Sequence, residues 1–302
     1  MVVREVPINL RNTHILPPFE YYEPRTLDEA SEILGRYAGE AKVLAGGTDL
    51  LVKVKTGQLR PKAIVNIKRI GGLRYIVEEG DRVRIGALTT FRDLELSETV
   101  AKHLPALHDV ARIMGSVQIR TMATIGGNLC NASPAADSAP PLLVHNAQVR
   151  LYSKRAGYRT VRLEDFFAGP GKVFAEPDEI LVEVIAEKAG SGSSAFVRVT
   201  RTAMDLSIAS SAVYLAASGG KVLEVRVALG SVAPRPVRAR KVEEALRGRE
   251  LVLGQVADAL KLIDDDISPI TDVRSTAEYR RHAAKVLTYD ALLKAYERLG
   301  GK

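Results

Sequence analysis

Residues 124–137 (TIGGNLCNASPAAD) constrain the fold of this chain more than any other segment. They contain two adjacent glycines, small hydroxyl residues, two amides and one carboxylate, and almost no bulky side chains. A segment of this kind cannot build a hydrophobic core. It can bring backbone N–H groups close to an anion, because glycine has no Cβ and reaches positive φ at low cost. We therefore predict a loop that binds an anionic group.

A second glycine pair lies upstream in residues 44–49 (LAGGTD), where an apolar run again precedes two glycines, a hydroxyl and a carboxylate. Two such loops could clamp the two phosphates of a dinucleotide such as FAD, which leaves Asp137 for a ribose hydroxyl. One pair alone would indicate only a turn after a strand, so the prediction depends on both. Residues 190–195 (GSGSSA) match the Rossmann pattern G-x-G-x-x-A, but strand-like residues 196–200 follow where that pattern needs a helix. We reject a Rossmann site.

The composition is that of a globular protein with two or three domains. The chain has 302 residues, of which 46% are hydrophobic and 26% are charged. It contains no apolar run of about 18 residues, so we predict no membrane span. Residues 1–6 lack the charged-then-apolar layout of a signal peptide, so we expect a cytoplasmic protein.

Charged and metal-binding residue types exclude several functions. The net charge is +7, but the densest basic run, residues 235–241, contains no aromatic residue, so we predict no nucleic-acid partner. We interpret this run as a solvated face or a contact with a partner subunit. A single cysteine, Cys130, excludes an internal disulfide and an iron–sulfur cluster held by this chain alone. The five histidines show no metal-ligand spacing, so no metal site is predicted.

Local patterns predict a small βαβ unit followed by mixed helices and strands. Thr26 and Glu29 form a T-x-x-E capping box, which predicts a helix over residues 26–35. Residues 190–194 (GSGSS) are the clearest linker. The other predicted strands are 41–44, 63–67, 73–78, 82–87, 148–152, 159–163, 196–200, 210–215 and 221–229; the other predicted helices are 91–97, 105–114, 241–247, 255–263 and 275–298.

The two glycine segments closely resemble those of one known family. AGGTDLL (45–51) and TIGGNLCNASPAADSAPPLL (124–143) are similar to the FAD-binding medium subunit of molybdenum hydroxylases, a group that includes carbon monoxide, aldehyde, nicotinate and xanthine dehydrogenases. Family members carry similar short motifs at the positions of three further segments, PFEY (18–21), EPDEIL (176–181) and AEYRR (277–281). The order and spacing of these segments extend the resemblance along nearly the whole chain.

The resemblance, together with the local patterns, implies an α+β fold in three parts. Residues 1–70 would form a small βαβ FAD-binding subdomain, and residues 71–189 a larger α+β FAD-binding subdomain. Residues 190–302 would form a C-terminal α+β domain, a three-stranded sheet with a helical layer.

The resemblance also implies one non-covalently bound FAD. Residues 42–49 would line the pyrophosphate and the approach to the isoalloxazine ring, Ser133 and Asp137 would face the adenosine, and Arg198 would lie near the ring's carbonyl edge. Arg198 replaces the lysine often found in the family, and Leu206 stands where some relatives have a tyrosine over the ring. The predicted cofactor-binding residues are Lys42, Val43, Leu44, Ala45, Gly46, Gly47, Thr48, Asp49, Met114, Gly115, Ala123, Thr124, Gly126, Gly127, Asn128, Cys130, Asn131, Ser133, Asp137, Leu181, Arg198 and Leu206.

As a family member the chain would be an electron-transfer subunit with no catalytic residues of its own. A large molybdopterin-binding subunit and a small subunit with [2Fe-2S] clusters would be its partners, in a heterotrimer that doubles to a heterohexamer. Electrons would pass from the clusters to FAD and then to an external acceptor. Two alternatives remain open from the sequence: a free-standing FAD-dependent oxidoreductase with residues 190–302 as a substrate cap, and a scaffold that has lost its flavin.

Overall fold

The computed structural model of the chain describes residues 16–301, so residues 1–6 and His14 lie outside it. The described strands form three main sheets and one short ribbon. In chain order the strands are β1 (Glu20–Tyr22), β2 (Ala41–Leu44), β3 (Ala63–Asn66), β4 (Ile76–Glu79), β5 (Arg82–Gly86), β6 (Gln148–Ser153), β7 (Gly157–Arg162), β8 (Phe167–Gly169), β9 (Lys172–Val173), β10 (Ile180–Glu187), β11 (Ser193–Val199), β12 (Ala209–Ser218), β13 (Lys221–Gly230) and β14 (Val237–Arg238).

Helices cover the faces and ends of these sheets. In chain order they are α1 (Leu27–Arg36), α2 (Leu50–Lys55), α3 (Phe91–Leu96), α4 (Glu98–His103), α5 (Pro105–Ile113), α6 (Val117–Met122), α7 (Ile125–Asn131), α8 (Ala139–Val144), α9 (Leu163–Phe166), α10 (Arg240–Leu246), α11 (Leu253–Leu260) and α12 (Ala277–Arg298). Within residues 16–301, none of them is both long enough and apolar enough to cross a bilayer.

The first sheet is parallel, in the order β1–β3–β2, and contains the predicted βαβ unit. The predicted helix α1 is confirmed, and the Thr26 side chain accepts a hydrogen bond from the Glu29 amide at 3.1 Å. Its buried residues Ala30, Ile33 and Leu34 belong to the same core as β3. The parallel strands direct the carboxyl end of β2 into the first glycine pair.

The second sheet is antiparallel, in the order β4–β5–β10–β6–β7. It contains both predicted hairpins, β4 with β5 and β6 with β7, and β10 joins them. Helices α3 to α8 all lie between β5 and β6 in the chain, and α7, which contains the second glycine pair, contacts the central strand β10.

The third sheet is antiparallel, in the order β11–β12–β13–β14. The predicted three-stranded sheet is present, and β14 adds a two-residue edge strand on β13. The 22-residue helix α12 packs on β11 and β12 and supplies the predicted helical layer. The α+β fold class is therefore confirmed, while the predicted domain limits at residues 70 and 189 stay a prediction.

The predicted linker at residues 190–194 is shorter than expected. Ser193 and Ser194 already belong to β11 and are buried. The Ser194 hydroxyl accepts a hydrogen bond from the Ala106 amide, at the start of α5, at 3.0 Å, and lies 2.8 Å from His145 Nε2. Burial lowers the pKa of His145 to about 4, so the ring is neutral at pH 7 and its Nδ1 donates to the Glu187 carbonyl. Small serines at this point let the third sheet pack directly on α5.

The basic run at residues 235–241 is paired within the chain. Arg238 is buried and forms two hydrogen bonds to the Glu243 carboxylate, at 2.6 and 2.8 Å. Arg240 pairs with Glu164, and Lys241 pairs with Asp265. These ion pairs hold α10 against the rest of the chain, so the basic run gives no support to the predicted contact with a partner subunit.

Candidate functional site

A pocket of about 560 Å³ opens where β2 ends and α7 begins. Its volume is in the usual range for small-molecule and cofactor sites. It is lined by both glycine pairs, by the start of α2 and by the segment that leads into β10. The predicted site residues on its wall are Lys42, Val43, Ala45, Gly46, Gly47, Thr48, Asp49, Ala123, Thr124, Gly126, Gly127, Asn128, Cys130, Asn131 and Leu181.

The first glycine loop, residues 45–49, connects β2 to α2 and needs both of its glycines. A Cβ on Gly46 would lie 2.2 Å from the Met122 carbonyl oxygen, so only glycine lets the loop pack against the residues before α7. Gly47 has φ +80°, a left-handed conformation that glycine adopts without strain. The loop is therefore both sharply turned and pressed against the second glycine segment.

The amides of the first glycine loop are available to a ligand. In the part of the chain that the structure describes, the N–H groups of Gly46, Gly47, Thr48 and Asp49 donate to no protein acceptor. Unpaired backbone donors at a concave surface favour an anion. This loop is therefore suited to hold phosphate oxygens.

The second glycine segment is a helix, which corrects the predicted loop. Thr124 caps α7, and its hydroxyl accepts a hydrogen bond from the Gly127 amide at 3.1 Å. Ile125 and Gly126 donate to the carbonyls of Thr89 and Ala87, and Asn128 donates to Thr124. All four amides are thus already paired, so this segment does not present the free N–H groups that its sequence suggested.

The two glycines of α7 have different surroundings. A Cβ on Gly126 would lie 2.7 Å from the Ala87 Cβ, so Gly126 permits close packing on the residue that follows β5. A Cβ on Gly127 would meet only the Thr124 hydroxyl at 2.9 Å and the Ala45 Cβ at 3.8 Å. Gly127 therefore shapes the pocket wall, whereas Gly126 is required by the packing of the helix.

Side chains on α7 add polar and neutral groups to the pocket. The Asn128 side-chain oxygen accepts a hydrogen bond from Ser138 at 2.6 Å, which leaves its NH₂ group as a donor for a ligand. Cys130 is exposed to the pocket, and the protein around the rest of the side chain raises the pKa of its thiol above the ordinary value. The thiol is therefore neutral and poorly nucleophilic at pH 7.

The opposite wall is the segment 175–181, which ends in β10. Glu179 is held by Arg159 through two hydrogen bonds, at 2.5 and 2.6 Å, and it accepts the Glu176 amide at 2.7 Å. Arg159 also donates to the Phe174 carbonyl at 3.1 Å. These contacts fix the wall, and Leu181 lies on it at the start of β10.

A second cluster contains Asp137, Arg198 and residues next to Met114 and Leu206, which the family resemblance places near the isoalloxazine ring. Arg198 donates to the Asp137 carboxylate at 2.5 Å and to the Ile113 carbonyl, next to Met114, at 2.7 Å. Ser207, next to Leu206, donates to the other Asp137 oxygen at 2.6 Å. Burial raises the pKa of Asp137, and the Arg198 charge opposes that rise.

This cluster lies outside the lining of the pocket. Asp137 is 5% exposed and gives both oxygens to protein donors, an arrangement that disfavours the predicted ribose contact. Leu206 is exposed, and the positive φ of Gly115 turns the chain after Met114. Leu44 and Ser133 are also absent from the pocket lining: Leu44 is buried, and the Ser133 hydroxyl accepts a hydrogen bond from the Ala135 amide.

Sequence reasoning missed three groups that build the site. Lys53 lines the pocket and donates to the Asn131 side chain. The Arg159–Glu179 pair fixes the far wall, and Arg120 donates to the carbonyls of Met114 and Gly115. Helical spacing from Asp49 could have identified Lys53, since residues four apart share a helix face. Arg159 and Glu179 are 20 positions apart, and the Arg120 contacts depend on the turn between α5 and α6, so helical spacing reveals neither.

Comparison with known proteins identifies the family of both halves of the chain. Residues 17–186 match the family described as FAD binding domain in molybdopterin dehydrogenase. Residues 194–295 match the family described as CO dehydrogenase flavoprotein C-terminal domain. The first match alone spans more than half of the chain, and it contains the whole pocket.

Relatives match more than nine-tenths of the chain. The xanthine dehydrogenase FAD-binding subunit of Escherichia coli O157:H7 is 36% identical over 286 residues, which is 93% of this chain and 97% of the relative. The glyceraldehyde dehydrogenase medium chain of Sulfolobus acidocaldarius is 33% identical over 91% of this chain and 97% of its own length. A structure of carbon monoxide dehydrogenase from Hydrogenophaga pseudoflava contains a chain with a TM-score of 0.91 and 34% identity, over 94% of this chain and 99% of that one.

Proposed function

The chain belongs to the FAD-binding medium subunits of xanthine and carbon monoxide dehydrogenase-type molybdenum hydroxylases, and from this we propose that it transfers electrons within such an oxidoreductase complex. Bound FAD would take electrons from the [2Fe-2S] clusters of a partner subunit and release them to an external acceptor. The observation that carries the proposal is the row of unpaired amides on the first glycine loop, which faces a pocket of cofactor size.

We assign the residues of the pocket to parts of FAD. The amides of Gly46 to Asp49 would hold the pyrophosphate, and the NH₂ group of Asn128 would donate to a phosphate or ribitol oxygen. The wall at 175–181, fixed by the Arg159–Glu179 pair, would hold the adenine, with Leu181 offering backbone. None of these groups needs to exchange a proton, so the chain's task is to bind and orient the cofactor.

The isoalloxazine ring would extend toward the cluster of Met114, Gly115, Arg198 and Leu206. The Arg198 guanidinium is already held by Asp137 and by two backbone carbonyls, so its charge is fixed in place. Because Asp137 offsets that charge, Arg198 would hold this wall in place beside the ring and would not present an uncompensated cation to the flavin. Exposed Leu206 and Met204 lie on the same loop and leave this side open to another protein chain.

The partners follow from family membership. We propose a large molybdopterin-binding subunit and a small [2Fe-2S] subunit, in a heterotrimer that doubles to a heterohexamer. The relatives named as medium chain or FAD-binding subunit support this division of labour. In such a complex the organic substrate reacts on the large subunit.

Electron transfer by the isolated chain tests the proposal. The FAD-loaded full chain, reduced with dithionite, should be reoxidised by ferricyanide, because an electron-transfer subunit needs only a donor and an acceptor. Supplied with an aldehyde or a purine in place of dithionite, the same chain should leave its flavin oxidised, as followed by absorbance near the flavin band. Rapid flavin reduction by either substrate would contradict the subunit role and favour a free-standing oxidoreductase.

A further inference from the structure

Lys53 bridges the two helices that begin at the two glycine segments. Its amide donates to the Asp49 carbonyl at 3.0 Å, so its side chain leaves α2 one turn after the first glycine loop. Its ammonium donates to the Asn131 side-chain oxygen at 2.5 Å. Asn131 is the last residue of α7, one helical turn beyond Gly127. The ammonium therefore crosses the cleft between the two segments.

The charge of Lys53 is not neutralised by the protein. Within residues 16–301 its ammonium forms no ion pair with a carboxylate, and its partner Asn131 is neutral. Three acids line the pocket: Glu179 is paired with Arg159, and neither Asp49 nor Glu176 forms an ion pair with Lys53 among the described residues. A half-buried, uncompensated cation on the wall of a pocket attracts a negatively charged ligand.

Lys42 is the other lysine on the pocket wall, but it is less suited to this role. It lies in the middle of β2, about 10 Å of extended chain before the first glycine loop. Its ammonium donates to the carbonyl of Gly39, which precedes the strand. The contact directs its charge toward the amino end of β2 and away from the unpaired amides of Gly46 to Asp49.

We propose that Lys53 is the cationic partner of the FAD pyrophosphate and that it leaves Asn131 for a phosphate oxygen when the cofactor binds. This inference rests on the proposed function. The bond to Asn131 joins a cation to a neutral amide, whereas a phosphate oxygen adds the attraction between opposite charges, so the exchange is favourable. The four-carbon stem of lysine provides the reach, and Asn131 holds the ammonium at the cleft until then.

The test compares the full-length, flavin-free chain with three variants by FAD fluorescence titration at low and high salt. Lys53→Gln removes the charge. Lys55→Gln is the matched control, because it makes the same change on the exposed part of the same helix. Lys53→Arg keeps the charge.

We expect Lys53→Gln to raise the dissociation constant of FAD about ten- to hundred-fold and to weaken the salt dependence of binding. Lys55→Gln and Lys53→Arg should stay close to the original chain.

The outcomes separate this inference from the proposed function. If the original chain binds FAD and Lys53→Gln has the dissociation constant of Lys55→Gln, the role of Lys53 is wrong while the FAD site stands. If the original chain binds no FAD, the proposed function fails and the inference with it. Thermal unfolding of each flavin-free variant shows whether it is folded. Should Lys53→Gln not fold, an affinity loss in folded Lys53→Arg as large as that expected for Lys53→Gln would overturn the proposal.

Discussion

Gly127→Val should abolish FAD retention and leave the fold intact. In the structure a Cβ at this position meets only the Thr124 hydroxyl and, more distantly, the Ala45 Cβ, so the two methyl groups of valine would project into the pocket. They would occupy space that a phosphate needs beside the first glycine loop. The flavin-to-protein ratio after purification measures the loss, and far-UV circular dichroism with thermal unfolding measures the fold.

The adjacent glycine provides the control for this variant. Gly126→Val places its Cβ 2.7 Å from the Ala87 Cβ and 2.8 Å from the Ala87 oxygen, so it should lower the thermal midpoint and damage the fold. Gly127→Val should lose flavin with a smaller drop in the midpoint, because only the Thr124 hydroxyl, 2.9 Å from the added Cβ, has to shift. If Gly127→Val keeps full flavin occupancy, α7 does not border the cofactor.

Asp137→Ala should destabilise the flavin-free chain by about 3–5 kcal/mol. The Asp137 and Arg198 side chains are each 6% exposed, and removal of the carboxylate would leave the guanidinium charge buried without its partner. The loss would also free Ser207 and loosen the loop before β12. Urea unfolding, compared through the midpoint and the slope, measures the change.

Asp258→Ala is the matched control, because Asp258 forms an ion pair with Lys261 that is exposed to solvent, so its loss should change the stability little. An equal effect of the two substitutions would contradict the structural role of Asp137. A ribose contact, as implied by the family resemblance, predicts a different result: unchanged stability of the flavin-free chain and weaker FAD binding, by about 1.5–3 kcal/mol. The two measurements therefore decide between the roles.

Much of the fold could be predicted because its signals are local. The capping box at Thr26 and Glu29 identified α1, and the alternation in residues 73–87 identified the hairpin of β4 and β5. The strand after residues 190–192 was correctly distinguished from the helix of a Rossmann site. The α7 helix was missed, because two glycines each disfavour a helix by about 1 kcal/mol. The Thr124 cap and the packing of Gly126 on Ala87 outweigh that cost, and neither shows in glycine content alone.

The pocket could be anticipated from its two glycine segments. The sequence could not show that the first segment leaves its amides free for a ligand while the second forms a helix. The first two amides of α7 are paired by the carbonyls of Thr89 and Ala87, which lie far from α7 in the sequence. The pairing of Asp137 with Arg198 joins residues 61 positions apart. The family resemblance predicted that both residues contact the cofactor. Only the structure shows that they form an ion pair with each other.

The flavin content of the purified full-length chain tests the central claim most directly. The chain is incubated with FAD, passed through a desalting column and precipitated with acid, and the flavin is quantified in the supernatant and in the pellet. We predict one FAD per chain, all of it in the supernatant, since the pocket offers hydrogen-bond donors to the cofactor and the raised pKa of its thiol keeps that group protonated. A chain that emerges from the column without flavin would contradict the account, and flavin retained in the pellet would contradict non-covalent binding.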